Sequence, residues 1–301
     1  MEIVKKGKSE GWKNILKIII PYIVTVAAFQ IVGALILGLD IIHFEDYQQT
    51  SAQFFVMYFL TMIGTVGIVW LFTTKVDKKS FVSCMFDKTK IFKDIALGLV
   101  IGFVIMFSGF LILILTDQLQ FVDIHLKVSD LLYSIGLFVF VAIAEEVFAR
   151  GYFLRNLMVS FNKYIALVIS ALLFSLMHLA NPNISIISLF ILFLSGLVLG
   201  LSYLYTKNIW FPIALHFSWN FFQGPIFGFN VSGMNTYKLI ETKYTTANNW
   251  NGGKFGFEGS ILAILVIICA LTVIYLLFQN RKPLVEEMVE IQEQEVETDL
   301  I

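Results

Sequence analysis

The sequence predicts an all-α fold, a polytopic membrane helical bundle of about eight transmembrane helices with both termini cytoplasmic. Three observations predict it. Of 301 residues, 58% are hydrophobic and only 14% are charged, too apolar for a water-soluble globule. Apolar runs close to the ~20 residues that cross a hydrocarbon core recur along the chain. Lysine and arginine gather in alternate connections, the asymmetry expected of cytoplasmic loops.

The runs fall at 15–38, 54–73, 94–116, 131–149, 164–180, 184–205, 209–224 and 260–279. The first follows a basic N-terminus, MEIVKKGKSEGWKN. It exceeds the ~7–15-residue apolar core of a cleavable signal, so it is read as a retained span. Eight spans place both termini on one side with 17 of the Lys and Arg residues. Only Lys127, Lys238, Lys243 and Lys254 are left for the other side. An odd number of spans would destroy this asymmetry. The chain divides into 1–93, the first two helices and a cytoplasmic loop; 94–224, helices three to seven with a core at 130–225; an outer loop, 225–259; a last helix, 260–280; and a tail, 281–301. The outer loop is rich in Gly, Asn and aromatics (NNWNGGKFGFEG) and is expected to pack on the outer mouth. The tail carries seven acidic residues and reads as solvated or as a short surface helix.

Net charge is −1, which leaves no basic surface for nucleic acid. Cys84 and Cys269 lie in separate segments and suggest neither a disulfide framework nor a thiolate metal motif. There is no internal repeat, and oligomeric state is not legible. Eighteen lysines against three arginines hint at an AT-rich bacterial genome, hence a bacterial plasma membrane.

The fourth run departs from the apolar pattern. Val141 to Arg150 reads VAIAEEVFAR, and an unpaired charge at membrane depth costs roughly 2.5–3.5 kcal/mol even on lenient scales. Such groups usually face a cavity and carry function. Glu146 and Arg150 are four apart and share a helix face, so they can pair. Glu145 lies about 100° round the helix and is left free for chemistry. The plainer reading, that all three cap a helix end, sets two acids against the macrodipole at a C-terminus.

His178 and His216 occupy later spans, whereas His43 and His125 fall in outer loops. Residues 145 and 178 are equidistant from the turn-like Ser160–Phe161–Asn162–Lys163, so an antiparallel helix pair brings Glu145 opposite His178. Phe174 lies one turn before His178 and would restrict its ring. His216 and Asn220 share a face four residues apart, and both can donate hydrogen bonds. Full-length spans would set His178 near the outer end of its helix and His216 only about 9–14 Å above the cytoplasmic end of its own. The levels agree if the first hairpin projects toward the cytoplasm and the Asn181–Pro182–Asn183 turn lies below the outer surface. No serine or cysteine sits beside a base in a recognisable motif.

EEVFAR, FSLMH and HFSWN, in this order, resemble the EExxxR, FxxxH and HxxxN signatures of the CPBP intramembrane proteases, the CAAX-processing and bacteriocin-processing group also called Abi proteins. The resemblance covers roughly residues 130–225. It implies an intramembrane endopeptidase in which Glu145 is the base that activates water and His178 helps hold it. It further implies that His216 and Asn220 stabilise the oxyanion and that Glu146 with Arg150 orders the site. The substrate would be a peptide or a membrane-protein segment. Metal dependence stays open: Glu145, His178 and His216 would make a two-His, one-carboxylate zinc set, but HExxH is absent and the same residues suit a metal-free mechanism. Two other classes compete, a proton-coupled transporter and a non-catalytic scaffold or immunity-type protein. Against the transporter, the sequence shows no inverted repeat and no paired broken helices.

Overall fold

The computed structural model describes residues 2–39, 49–86, 91–206 and 208–280, with side chains from residue 10 onward. His43 and the acidic tail lie outside the described residues.

Three N-terminal helices come first: α1 (Glu2–Leu37), α2 (Ser51–Leu71, continued by a π turn over Phe72–Val76) and the short α3 (Phe81–Met85). Thr50 starts α2 with a capping box, its hydroxyl accepting from the Gln53 amide while the Gln53 side chain reaches back. Next come α4 (Ile91–Leu115) and strand β1 (Leu119–Ile124). Helix α5 (Val128–Glu146) runs through a π segment, Val147–Leu154, into α6 (Arg155–Ser160). Helices α7 (Lys163–Leu176), α8 (Ile186–Thr206) and α9 (Trp210–Phe221) follow, the last extended by a π turn over Phe222–Ile226. Strand β2 (Ile240–Tyr244) and α10 (Ile261–Phe278) complete the order. The expected turn is where the sequence set it: α6 ends at Ser160, and Asn162 caps α7 by accepting from the Tyr164 and Ile165 amides.

Among the described residues six helical stretches are long and apolar enough to cross a membrane, and the protein is an integral membrane protein with an α-helical polytopic bundle. Three expectations need correction. The fourth span is not 131–149 but a continuous 33-residue stretch, Val128–Ser160; its polar residues find partners inside the protein, so they do not end the helix. The expected fifth and seventh spans are helices of only 14 and 12 residues, short of the ~20 that a simple crossing requires. The fold is also not purely α. Strand β1 pairs antiparallel with β2, with a bulge between Phe121 and Asp123, joining two connections that composition alone marked as loops. His125 sits beside this ribbon, its Nε2 2.6 Å from Glu241, away from the polar core.

Helix α9 carries two of the six candidate site residues, His216 and Asn220, and is wedged against α4. A Cβ added to Gly98 would come 2.7 Å from the Phe211 carbonyl, and one on Gly102 would come 2.6 Å from Ser218 Cβ. Small residues four apart thus let the backbones touch, and Ser218 Oγ donates to the Leu99 carbonyl at 2.7 Å. Gly196 does the same for α8 against Ala171 of α7. Elsewhere, Asn14 and Asn156 both donate to the Asp77 carboxylate, at 2.8 and 3.1 Å, and so tie α1 to α6. Burial pushes the Asp77 carboxyl above its ordinary value, while the amides of Asn156 and Asn14 pull it down.

Candidate active site

Glu145 and Glu146 end the regular part of α5, and the backbone then widens into the π segment. Such segments are uncommon and concentrate at functional sites. Two features accommodate this one: Gly151 leaves room for the Met85 thioether, and Ser170 Oγ donates to the Ala149 carbonyl at 3.2 Å.

The two adjacent carboxylates have opposite surroundings. Glu146 is fully buried; its Oε1 accepts from Arg150 Nη1 at 2.7 Å and from His216 Nδ1 at 2.8 Å. Arg150, itself 1% exposed, gives Nη2 to the Gly196 carbonyl and lies with its guanidinium carbon 4.4 Å from the centre of the Phe174 ring. The sequence reading gave Glu146 a single partner; it has two, and the second is a candidate site residue. Glu145 is different. Its side chain is 26% exposed, yet Oε2 is buried and accepts no hydrogen bond. That atom is faced by His178 Nε2 at 3.7 Å and His216 Nε2 at 3.9 Å.

Hydrogen bonding assigns the tautomers. His178 Nδ1 is 2.8 Å from the Phe174 carbonyl, which can only accept, so Nδ1 carries the proton. His216 Nδ1 likewise donates to a carboxylate. In the neutral rings both Nε2 atoms therefore turn lone pairs toward Glu145. Phe174 organises this group: its carbonyl holds His178, its ring sits 4.9 Å from the His178 ring and edge-on to His216 at 6.2 Å, and Arg150 lies over it. Asn220 is buried one helical turn beyond His216. The six residues singled out by the sequence thus lie on α5, its π segment, the turn after α7, and α9.

Glu145, His178, His216 and Asn220 line a cavity of about 210 Å³. Helices α1 and α2 supply Tyr22 and Tyr58 to its wall. One end is closed by the segment after α9, here called the roof, which contributes Ser232, Thr236 and Glu258. Glu258 is 5% exposed; its Oε2 accepts from the Ser232 amide, the Ser232 hydroxyl and Gln223 Nε2. Asn181 Nδ2 donates to the Ser232 carbonyl, so the turn after His178 is fastened under the roof. Sequence reasoning missed Glu258 and the Gly98–Gly102 wedge. The wedge was detectable as glycines four apart on an apolar helix; a lone acid in a Gly- and aromatic-rich loop carried no comparable signal. Among the described residues no three His, Cys, Asp or Glu side chains are grouped so as to hold a metal ion. Glu145, His178 and His216 carry the donor types of a zinc set, with the two Nε2 atoms 3.7 and 3.9 Å from Glu145 Oε2.

These helices and this buried acid–imidazole centre belong to an integral membrane protein. Residues 127–222, about a third of the chain, match the family model described as Rce1-like, type II CAAX prenyl endopeptidase. This is the resemblance that EEVFAR, FSLMH and HFSWN carry, and it implies an intramembrane CAAX-type protease. The match singles out neither the bacteriocin-processing branch nor dependence on a metal. Neither the curated proteins nor the solved structures contain a significant match to the chain.

Proposed function

We propose that the protein is an intramembrane endopeptidase that hydrolyses a peptide bond of a membrane-associated protein or peptide precursor by glutamate-activated water. One observation carries the reading: Glu145 Oε2, buried and without a hydrogen-bond partner, lies between two imidazole nitrogens at 3.7 and 3.9 Å. Those separations are too long for direct hydrogen bonds and suit a water held between the groups.

Counting donors and acceptors divides the roles. A water has two protons, while the carboxylate and two neutral Nε2 atoms would be three acceptors. One imidazole must then be a donor. His178 is anchored on a neutral carbonyl and serves as the acceptor. His216, backed by the Glu146 carboxylate, is the one whose added proton is compensated, as in other acid–imidazole pairs. The water oxygen attacks the scissile carbonyl as its proton passes to Glu145. The oxyanion accepts from Asn220 Nδ2 and from protonated His216 Nε2. Collapse breaks the C–N bond, and the leaving amine takes the proton from Glu145. Arg150 holds Glu146 in place, and Glu146 orients His216. No step is routed through a metal.

In this reading the chain sits in a bacterial plasma membrane with cytoplasmic termini, and the chamber opens toward the cytosol. A transporter would use the same residues as a proton relay, and a scaffold would use the chamber to bind without cutting. Comparative membrane peptidomics of wild type against Glu145→Gln separates the protease from both. An uncleaved precursor accumulating in the variant supports the protease; identical peptidomes overturn it.

A further inference from the structure

We propose that the chamber selects substrates bearing a cationic group, a Lys or Arg side chain or a free α-amine, which pairs with Glu258 at the roof. This rests on the protease reading above and adds to it the class of substrate.

The charges on the chamber wall carry the inference. Among the described residues, Glu145 and Glu258 are the only carboxylates that line it, and no lysine or arginine does; the two imidazoles, His178 and His216, stand at the Glu145 end. Glu146 has Arg150 and His216 as partners, whereas all the donors to Glu258 are neutral: an amide N–H, a hydroxyl and a carboxamide. All three converge on Oε2, and Oε1 accepts from no described residue. The Thr236 hydroxyl, on the same wall, is buried without a partner. The nearest roof lysine is turned elsewhere: Lys238 Nζ donates to Asn230 Oδ1 and is drawn by Glu241. A buried carboxylate without a cation is costly to keep, and a concave apolar wall concentrates its field on whatever enters. The same wall disfavours an anionic group at that end, such as a free substrate carboxylate.

The helix fixes the distance. Gln223, which holds Glu258, lies seven residues after His216, roughly 10 Å along α9 and the π turn that extends it, at about 1.5 Å per residue. An extended peptide covers that in about three residues. The cationic group therefore belongs about three residues from the bond that is cut.

Glu258 also fastens Ser232 and Gln223, and a purely structural role must be told apart. The full chain, purified in detergent, is assayed with internally quenched peptides identical except at one position, which carries Lys, Arg, norleucine or Glu. Wild type is expected to prefer Lys and Arg over norleucine at one position by about tenfold in kcat/KM, through KM. Glu258→Gln keeps an acceptor for Ser232 and loses the preference; Glu258→Asp keeps the charge and retains it in part. Equal cleavage of the Lys and norleucine peptides by wild type overturns the proposal whatever the variants do, and so does a preference that survives in Glu258→Gln. Binding of the same peptides to Glu145→Gln, followed by fluorescence anisotropy, separates the two claims. Lys-selective binding without cleavage in wild type would sink the protease reading and leave the cation site standing. Cleavage without selectivity would do the reverse.

Discussion

The two ends of the chamber solve the same problem, a carboxylate taken out of water, in different ways. On the α5–α9 side Glu146 is enclosed by charge: a guanidinium, an imidazole N–H and, behind the guanidinium, an aromatic face. At the roof Glu258 is held by neutral donors alone. The first arrangement is closed and orients its neighbours; the second leaves its charge available to an incoming partner. Glu145 belongs with the second kind although it is bonded in sequence to Glu146. Of these three acids, Glu146 alone has a guanidinium bonded to it.

The sharpest way to break this contrast is to remove the working acid. Glu145→Gln should lower kcat by about 10²–10⁴-fold, the usual share of a general base, with the melting temperature in detergent little changed. A variant that cuts at the wild-type rate would transfer the base role elsewhere. The opposite behaviour is expected of the scaffold pair. Arg150→Met strands the ionised Glu146 and should cost about 3–5 kcal/mol in denaturant unfolding, and Arg150→Lys should not restore it, because the Gly196 contact needs the guanidinium fork. Asn220→Ala should cost about 2.7–4 kcal/mol of transition-state stabilisation, read as kcat with KM preserved. Gly102→Val, far from any charge, should push α9 off α4 and cost about 1–3 kcal/mol of stability through overpacking. It should also lower kcat, because His216 and Asn220 move with the helix. Last, dialysis against a chelator should leave activity unchanged; activity lost and restored by zinc would restore the two-His, one-carboxylate set as a metal centre.

Helical positions four apart carried much of the site in advance. Glu146 and Arg150 pair across one turn of α5 and its π extension, and Glu145 meets His178 because both are equally far from the Asn162-capped turn. The second partner of Glu146 was not legible, since His216 lies 70 residues away and its approach depends on two glycines in α4. The fourth helix outruns its expected end because Arg150 and Asn156 are satisfied within the fold, and it continues to Ser160.

By itself, then, the sequence determined the membrane class, the hairpin that sets the acid against the imidazole, and the three segments that supply the site, because these follow from composition and from the 3.6-residue repeat. Only the tertiary structure decided which nitrogen of each histidine is free, which acid lacks a cation, and that the roof brings Glu258 to the same chamber. Hydrogen-bond partners and compensating charges come from segments distant in the chain, and no local pattern encodes which of them arrive.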